Sequence, residues 1–164
     1  MLNSNPANGA QIDINTYSGA TNQKFILDKQ TDGSYRIRTA LTGNRPLDLA
    51  FGNTSNGGII GLYDNTDLPQ QRWYFIPTDN GWYQIAPKFS TDACIDISGG
   101  PGATSNGTLV QNWAYLGGTN QQWQLTQIST STTSAFTPQT LSSKTTTSTT
   151  KGAAPTKNPS APNS

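Results

Sequence analysis

Three Asn-Gly pairs, Asn8-Gly9, Asn56-Gly57 and Asn106-Gly107, are each followed, fifteen residues after the asparagine, by a Gln-x-aromatic triplet. The triplets are Gln23-Lys24-Phe25, Gln71-Arg72-Trp73 and Gln121-Gln122-Trp123. An aliphatic residue lies four positions after each asparagine, at Ile12, Ile60 and Val110, and an apolar residue two after each aromatic, at Leu27, Phe75 and Leu125. The period is 48 and then 50 residues. Gly33-Ser34-Tyr35-Arg36-Ile37 and Gly81-Trp82-Tyr83-Gln84-Ile85 also fall in register, as do Leu47-Asp48-Leu49 and Ile95-Asp96-Ile97. Units of this size cannot bury their apolar faces alone, so three of them must share one interior.

Each unit holds short alternating stretches, among them Tyr35-Arg36-Ile37, Ile60-Gly61-Leu62-Tyr63 and Trp73-Tyr74-Phe75-Ile76, divided by Gly, Asn, Asp and Pro. That pattern predicts about four short strands per unit. Composition agrees. The chain has no Glu, sixteen Gly, ten Pro and abundant Thr, Ser and Asn, residues that favour turns and extended backbone over helix. The expectation is an all-β, pseudo-threefold domain over residues 1–130.

Composition also removes several chemistries. Without histidine there is no Ser-His-Asp or Cys-His nucleophile and no histidine metal site, and one cysteine cannot form an internal disulfide or the usual zinc site. Nothing in the sequence calls for a metal or another cofactor. Residues 1–130 carry seven Lys/Arg against nine Asp, and residues 131–164 carry three Lys and no acid, so neither part has the basic balance of a nucleic-acid binder. No apolar run approaches the roughly 18 residues of a membrane span. The start has no basic and apolar leader, so no signal peptide is visible.

From Ser131 to Ser164, seventeen of thirty-four residues are Ser or Thr and four are Pro. Such a stretch offsets little of its ordering entropy by burial, and it reads as a disordered tail or linker of the kind often O-glycosylated in secreted proteins. Two N-glycosylation sequons, Asn53-Thr54-Ser55 and Asn106-Gly107-Thr108, fit an extracellular location. The lone Cys94 reads as a small apolar packing residue.

Three in-register repeats of forty to fifty residues, each ending in Gln-x-aromatic, resemble the ricin B-type lectins, carbohydrate-binding modules of the β-trefoil fold. The resemblance covers about residues 3 to 129. No Leu-Asp or Cys-x-Asp segment precedes Asn8-Gly9. The family pattern therefore implies that the first strand and most of the second are missing from repeat one, leaving an edge near residues 122–127 that invites association. Either the chain starts late or closure of the barrel is imperfect. The position of Cys94 often pairs in the family with a later cysteine that this chain lacks.

Sugar recognition needs acceptors and donors for hydroxyls, an aromatic face for the C–H side of a pyranose, and rigid support. Asp96 is acceptor-only when ionised and is expected to take hydrogen bonds from two neighbouring hydroxyls. Trp113 lies three positions after Val110, on the face opposite the core aliphatic, and offers a stacking platform. Asn120 supplies a donor and an acceptor, and Gln111 braces or joins the site. By resemblance, Asp96, Gln111, Trp113 and Asn120 match the positions the family uses for galactose-type sugars. The second repeat keeps Asp48 and the aromatic Tyr63 but has Gly61 for Gln111 and Gln70 for Asn120, a weaker candidate. The first has Asn15, Asn22 and no matching Asp, and is expected to be silent.

Taken singly, each of these residues has a structural reading: Asp in Leu-Asp-Leu as a solvated outward charge, Trp113 as packing, and the triplet glutamines as backbone braces in a turn. A hydrolase would need paired carboxylates about 5 to 10 Å apart, whereas Asp48 and Asp96 occupy equivalent places in different repeats. The expectation is a non-catalytic binder of glycans or polysaccharide. Two alternatives stand beside it: a targeting module whose parent chain carries a catalytic domain, and a β-trefoil protease inhibitor acting through an exposed loop.

Overall fold

The computed structural model describes residues 4–128, so the tail expected from residue 131 lies outside the described residues. Nine strands are described: β1 (Phe25–Lys29), β2 (Tyr35–Thr39), β3 (Leu47–Leu49), β4 (Gly58–Leu62), β5 (Trp73–Pro77), β6 (Trp82–Pro87), β7 (Ala93–Ile97), β8 (Val110–Ala114) and β9 (Trp123–Gln124). One-turn 3-10 segments, Thr21–Gln23, Pro69–Gln71 and Thr119–Gln121, lead into the aromatic of each repeat. The strands form a five-stranded sheet, ordered β1-β2-β5-β6-β9, and a four-stranded sheet, ordered β3-β4-β8-β7. This is the β-trefoil plan: the first sheet is its barrel wall and the second belongs to its cap.

Alternation explains the faces. In β2, Tyr35, Ile37 and Thr39 are buried while Arg36 and Arg38 lie between surface and core. Arg38 is paired with Asp28 of β1, its diagonal neighbour across the strands on the same face. The shared interior contains Ile12, Leu49, Ile60, Phe75, Ile85, Ile95 and Val110, so all three repeat aliphatics meet there. Phe75 is the hub, edge-on to Tyr35 at 5.2 Å and to Tyr83 at 6.4 Å between ring centroids. Leu49 and Ile60 are wholly buried, each contributing about 1.5–3 kcal/mol over an exposed position.

The Asn-Gly turns tie the repeats into a ring. Gly9 donates its N–H to the Leu62 carbonyl, Gly57 to that of Asn112 and Gly107 to that of Ile14, each at 2.8 Å. Every turn is thus fastened to the next repeat, first to second, second to third, third to first. The asparagines add to this: Asn56 Oδ1 accepts from the Ala114 N–H at 2.7 Å, and Asn106 Oδ1 from that of Thr16 at 2.8 Å. All three glycines have φ between 81° and 84°, which the small side-chain-free residue adopts without a Cβ penalty.

Residues 10–14 run as an extended segment bridging Gln11 to Gly61 and Asp13 to Leu109, but no named strand precedes it among the described residues. The barrel sheet therefore ends at β1 on one side and β9 on the other. A cavity of about 330 Å³ opens there, lined by core residues including Ile12, Leu27, Phe75, Val110 and Trp123. Phe25 is part-exposed beside it, whereas its equivalent Trp73 is wholly buried.

Candidate functional site

The third-repeat residues converge as their strands dictate. Asp96 on β7 pairs in register with Gln111 on β8, and Cys94 with Trp113, so Gln111 and Trp113 lie two apart on one strand and share a face. Asn120 and Gln121 come from the 3-10 turn before β9, which packs against β7. Together with Ser98, Gly99, Gly100, Pro101, Leu116 and Gly118, they line an open cleft of about 500 Å³. Trp113 is half-buried on its wall.

Asp96 is clamped by three amides. Its Oδ1 accepts from Gln111 Nε2 at 2.9 Å, and its Oδ2 from Asn120 Nδ2 at 2.7 Å and Gln121 Nε2 at 2.9 Å. Two sequence expectations change here. Asp96 is not a solvated outward charge, being only 4% exposed. Nor is it free for two hydroxyls: a carboxylate offers about four acceptor positions, and three are taken by protein amides. A vicinal diol would meet one remaining position of Asp96 together with the side-chain carbonyl oxygen of Asn120 or Gln111.

Gln121 was expected to brace the turn, and it does so while also holding the carboxylate. Its Oε1 accepts from the Leu116 N–H at 2.7 Å, and its Nε2 donates to the Ala114 carbonyl at 2.9 Å as well as to Asp96. The tryptophan of the same triplet is structural: Trp123 Nε1 donates to the Ile95 carbonyl at 3.0 Å, as Trp73 Nε1 does to Leu47 at 3.3 Å. Gly118 is a residue the sequence reasoning missed. A Cβ there would come within 2.6 Å of Asn120 Oδ1, so only glycine lets that amide lie across the cleft.

The second repeat repeats the frame with fewer groups. Asp48 is 8% exposed and accepts from Gln71 Nε2 at 2.9 Å, while Gln71 also accepts from the Thr66 N–H and donates to the Asp64 carbonyl. Burial pushes the Asp48 carboxyl above its ordinary pKa of 3.8, with the Gln71 amide pulling the other way. A glutamine in place of Gly61, opposite Asp48, would be strained: its Cβ would stand 2.9 Å from the Ala10 carbonyl oxygen, because the first-repeat segment lies against this strand. At the position of Gly118 stands Leu68, and Gln70 is not brought onto Asp48 as Asn120 is onto Asp96. Tyr63 is exposed beyond the end of β4.

In the first repeat, Asn15 donates to Asp13 and lines the barrel opening with Asn22. Cys94 is fully buried, with its pKa pushed up to about 12 by desolvation and by the Asp96 charge. Among the described residues no group of three or more acidic, Cys or His side chains is placed to hold a metal ion. No described helix is long and apolar enough to cross a membrane.

The third-repeat cleft thus holds a buried carboxylate, clamped by three side-chain amides, beside a half-buried indole. The family model described as ricin-type beta-trefoil lectin domain-like matches residues 2–63 and 69–154. The chain belongs to that lectin family. Its members are carbohydrate-binding domains and typically non-catalytic. The designed threefold-symmetric protein ThreeFoil is 28% identical, with a TM-score of 0.72 over 77% of this chain and 88% of that one. The exo-beta-1,3-galactanase 1,3Gal43A from Clostridium thermocellum is also 28% identical, with a TM-score of 0.69 over 76% of this chain. Flavastacin from Elizabethkingia meningoseptica is 27% identical over 124 residues. The lectin chain spans 26% of the galactanase and 27% of flavastacin, and 76% of its own length aligns with each.

Proposed function

We propose that this lectin domain binds galactose-type sugars or related plant or fungal polysaccharide glycans reversibly, with its principal site in the third-repeat cleft. The observation that carries this reading is the Asp96 clamp: three side-chain amides fix one carboxylate in a cleft that Trp113 also lines. Asp96 takes a sugar hydroxyl, Asn120 and Gln111 serve a neighbouring one, and the indole of Trp113 receives the apolar face of the ring. Because the site is preorganised, little ordering is charged against binding. Because it is open and polar, desolvation still cancels most of the hydrogen-bond gain, and single-site affinity is weak. The second repeat, with Asp48, Tyr63 and Gln70, is a subsidiary site whose value is avidity on repeating glycans.

The small share of the galactanase and of flavastacin that this chain spans favours one further reading, a targeting module within a longer secreted protein that carries a catalytic domain. The sequons at Asn53 and Asn106 suit that extracellular setting; both asparagines are exposed. A glycan array read with the wild type, Asp96→Ala and Trp113→Ala tests the binding claim. Each substitution is expected to lower galactoside binding to the weaker level left by the second-repeat site. No glycan bound, or binding indifferent to both substitutions, rejects the third-repeat site.

A further inference from the structure

The turn after each aspartate strand takes two consecutive residues with left-handed backbone. In the third repeat these are Gly99 and Gly100, with φ of 93° and 82°, and both line the Asp96 cleft. In the second repeat the same steps after Asp48 bring Phe51 and Gly52, with φ of 58° and 63°. The other non-glycine residues with positive φ among the described residues are Ser, Asn and Asp, short side chains of which Asn and Asp take this conformation most readily. A phenylalanine there is strained, and burial gives nothing back, since Phe51 is fully exposed. At the next residue, the half-exposed ring of Phe89 lies 3.4 Å from where a Cβ on Gly52 would stand. The turn that carries Phe51 packs against the Pro69–Gln71 turn that supplies Gln71 to Asp48.

We propose that the exposed Phe51 is a stacking platform on the rim of the second-repeat site, so that this site takes an oligosaccharide of two or more units. This deepens the proposed function and rests on the second repeat being a binding site. The glycine pair leaves the third cleft open on this side, whereas the second repeat offers an aromatic face at the corresponding place, within a few residues of its own carboxylate. A sugar unit held at Asp48 has its neighbour in the chain beside Phe51. The chemistry fits pyranose rings, which present an apolar C–H face to an aromatic. Phe51 thereby makes the two sites differ in what they read: a terminal sugar in the third repeat, an internal stretch in the second.

The test uses the full 164-residue chain with Asp96→Ala to silence the third site, titrated calorimetrically with galactose, lactose and β-1,3-galactobiose. The expected result is that Asp96→Ala prefers a disaccharide over galactose by roughly three- to tenfold, the size of one ring-stacking contact. Adding Phe51→Ala or Phe51→Gly removes that preference and leaves galactose binding unchanged. Phe51→Gly also raises the melting temperature, because glycine accepts φ of 58° without strain. Disaccharide preference surviving both Phe51 substitutions while Asp48→Ala abolishes it overturns the platform and leaves the second site standing. Binding that is equal in Asp96→Ala and Asp48→Ala/Asp96→Ala overturns both. A dimer dispersed by Phe51→Ala, with sugar binding unaltered, overturns the platform in favour of self-association.

Discussion

One substitution, Gln to Ala, made in turn at Gln23, Gln71 and Gln121, separates the energetic roles of the three repeats. Replacing Gln121 strands the Leu116 N–H and the Ala114 carbonyl and removes one of the three amides from Asp96. A partly buried hydrogen bond contributes about 1 kcal/mol net, and one to a buried charge about 1.5–3 kcal/mol, so the expected cost is about 3–5 kcal/mol. Gln71 makes the same set of bonds from an equally buried position, to Thr66, Asp64 and Asp48, and should cost as much. Gln23 bonds Ser18 and Thr16 in an exposed turn with no carboxylate to hold, and its loss should cost about 0.5–1 kcal/mol. With a urea m-value of about 2 kcal/mol/M, the first two variants shift the unfolding midpoint down by about 2 M and the third by less than about 0.5 M. Three equal shifts, or a Gln121 variant within about 0.5 M of wild type, would refute the view that these glutamines act by holding a buried carboxylate.

Other outcomes follow from the same geometry. Trp113→Ala should reduce galactoside binding to that of the second-repeat site while moving stability by about 1 kcal/mol or less, checked by titration alongside thermal melting, since the indole is only half-buried. Gly61→Gln should destabilise by about 1–3 kcal/mol in urea unfolding without creating a stronger second site, because the new Cβ meets the Ala10 carbonyl. The Asp48 carboxyl has a folded-state pKa above its ordinary 3.8, so the folded state holds this proton more tightly; that stabilisation is present below the ordinary value and lost as pH rises through the raised one. Asp48→Asn, which cannot ionise, should therefore melt above wild type at pH 7, with the gap closing near pH 3. Cys94, buried with a pKa of about 12, should resist iodoacetamide at pH 8 in the native protein and react on unfolding, read by mass spectrometry.

Much of the fold was legible because the repeat encodes it at fixed spacing. Ile12, Ile60 and Val110 meet in one core as their register implies. That Asp96, Gln111, Trp113 and Asn120 belong together came from the family resemblance rather than from the repeat, and they line one cleft. What was hidden depends on segments far apart in sequence. That Asp96 is buried follows from amides 15 to 25 residues away closing over it, which no local alternation reveals. That Gln70 cannot copy Asn120 depends on Leu68 standing where Gly118 makes room, a signal present in the sequence but meaningful only once the turn is seen to cross the cleft. Gly61 looked like a simple loss of Gln111, and it is a requirement set by the Ala10 backbone.

The ring of Asn-Gly turns has a consequence for how such a domain can be divided. Each repeat lends its turn to one neighbour and receives another's on its own strand, so an isolated third of the molecule has both a donor and an acceptor face and nothing to satisfy either. Two more units must complete it. A free-standing unit of this kind would fold only by trimerising, and a three-unit chain gains its stability by making that assembly intramolecular.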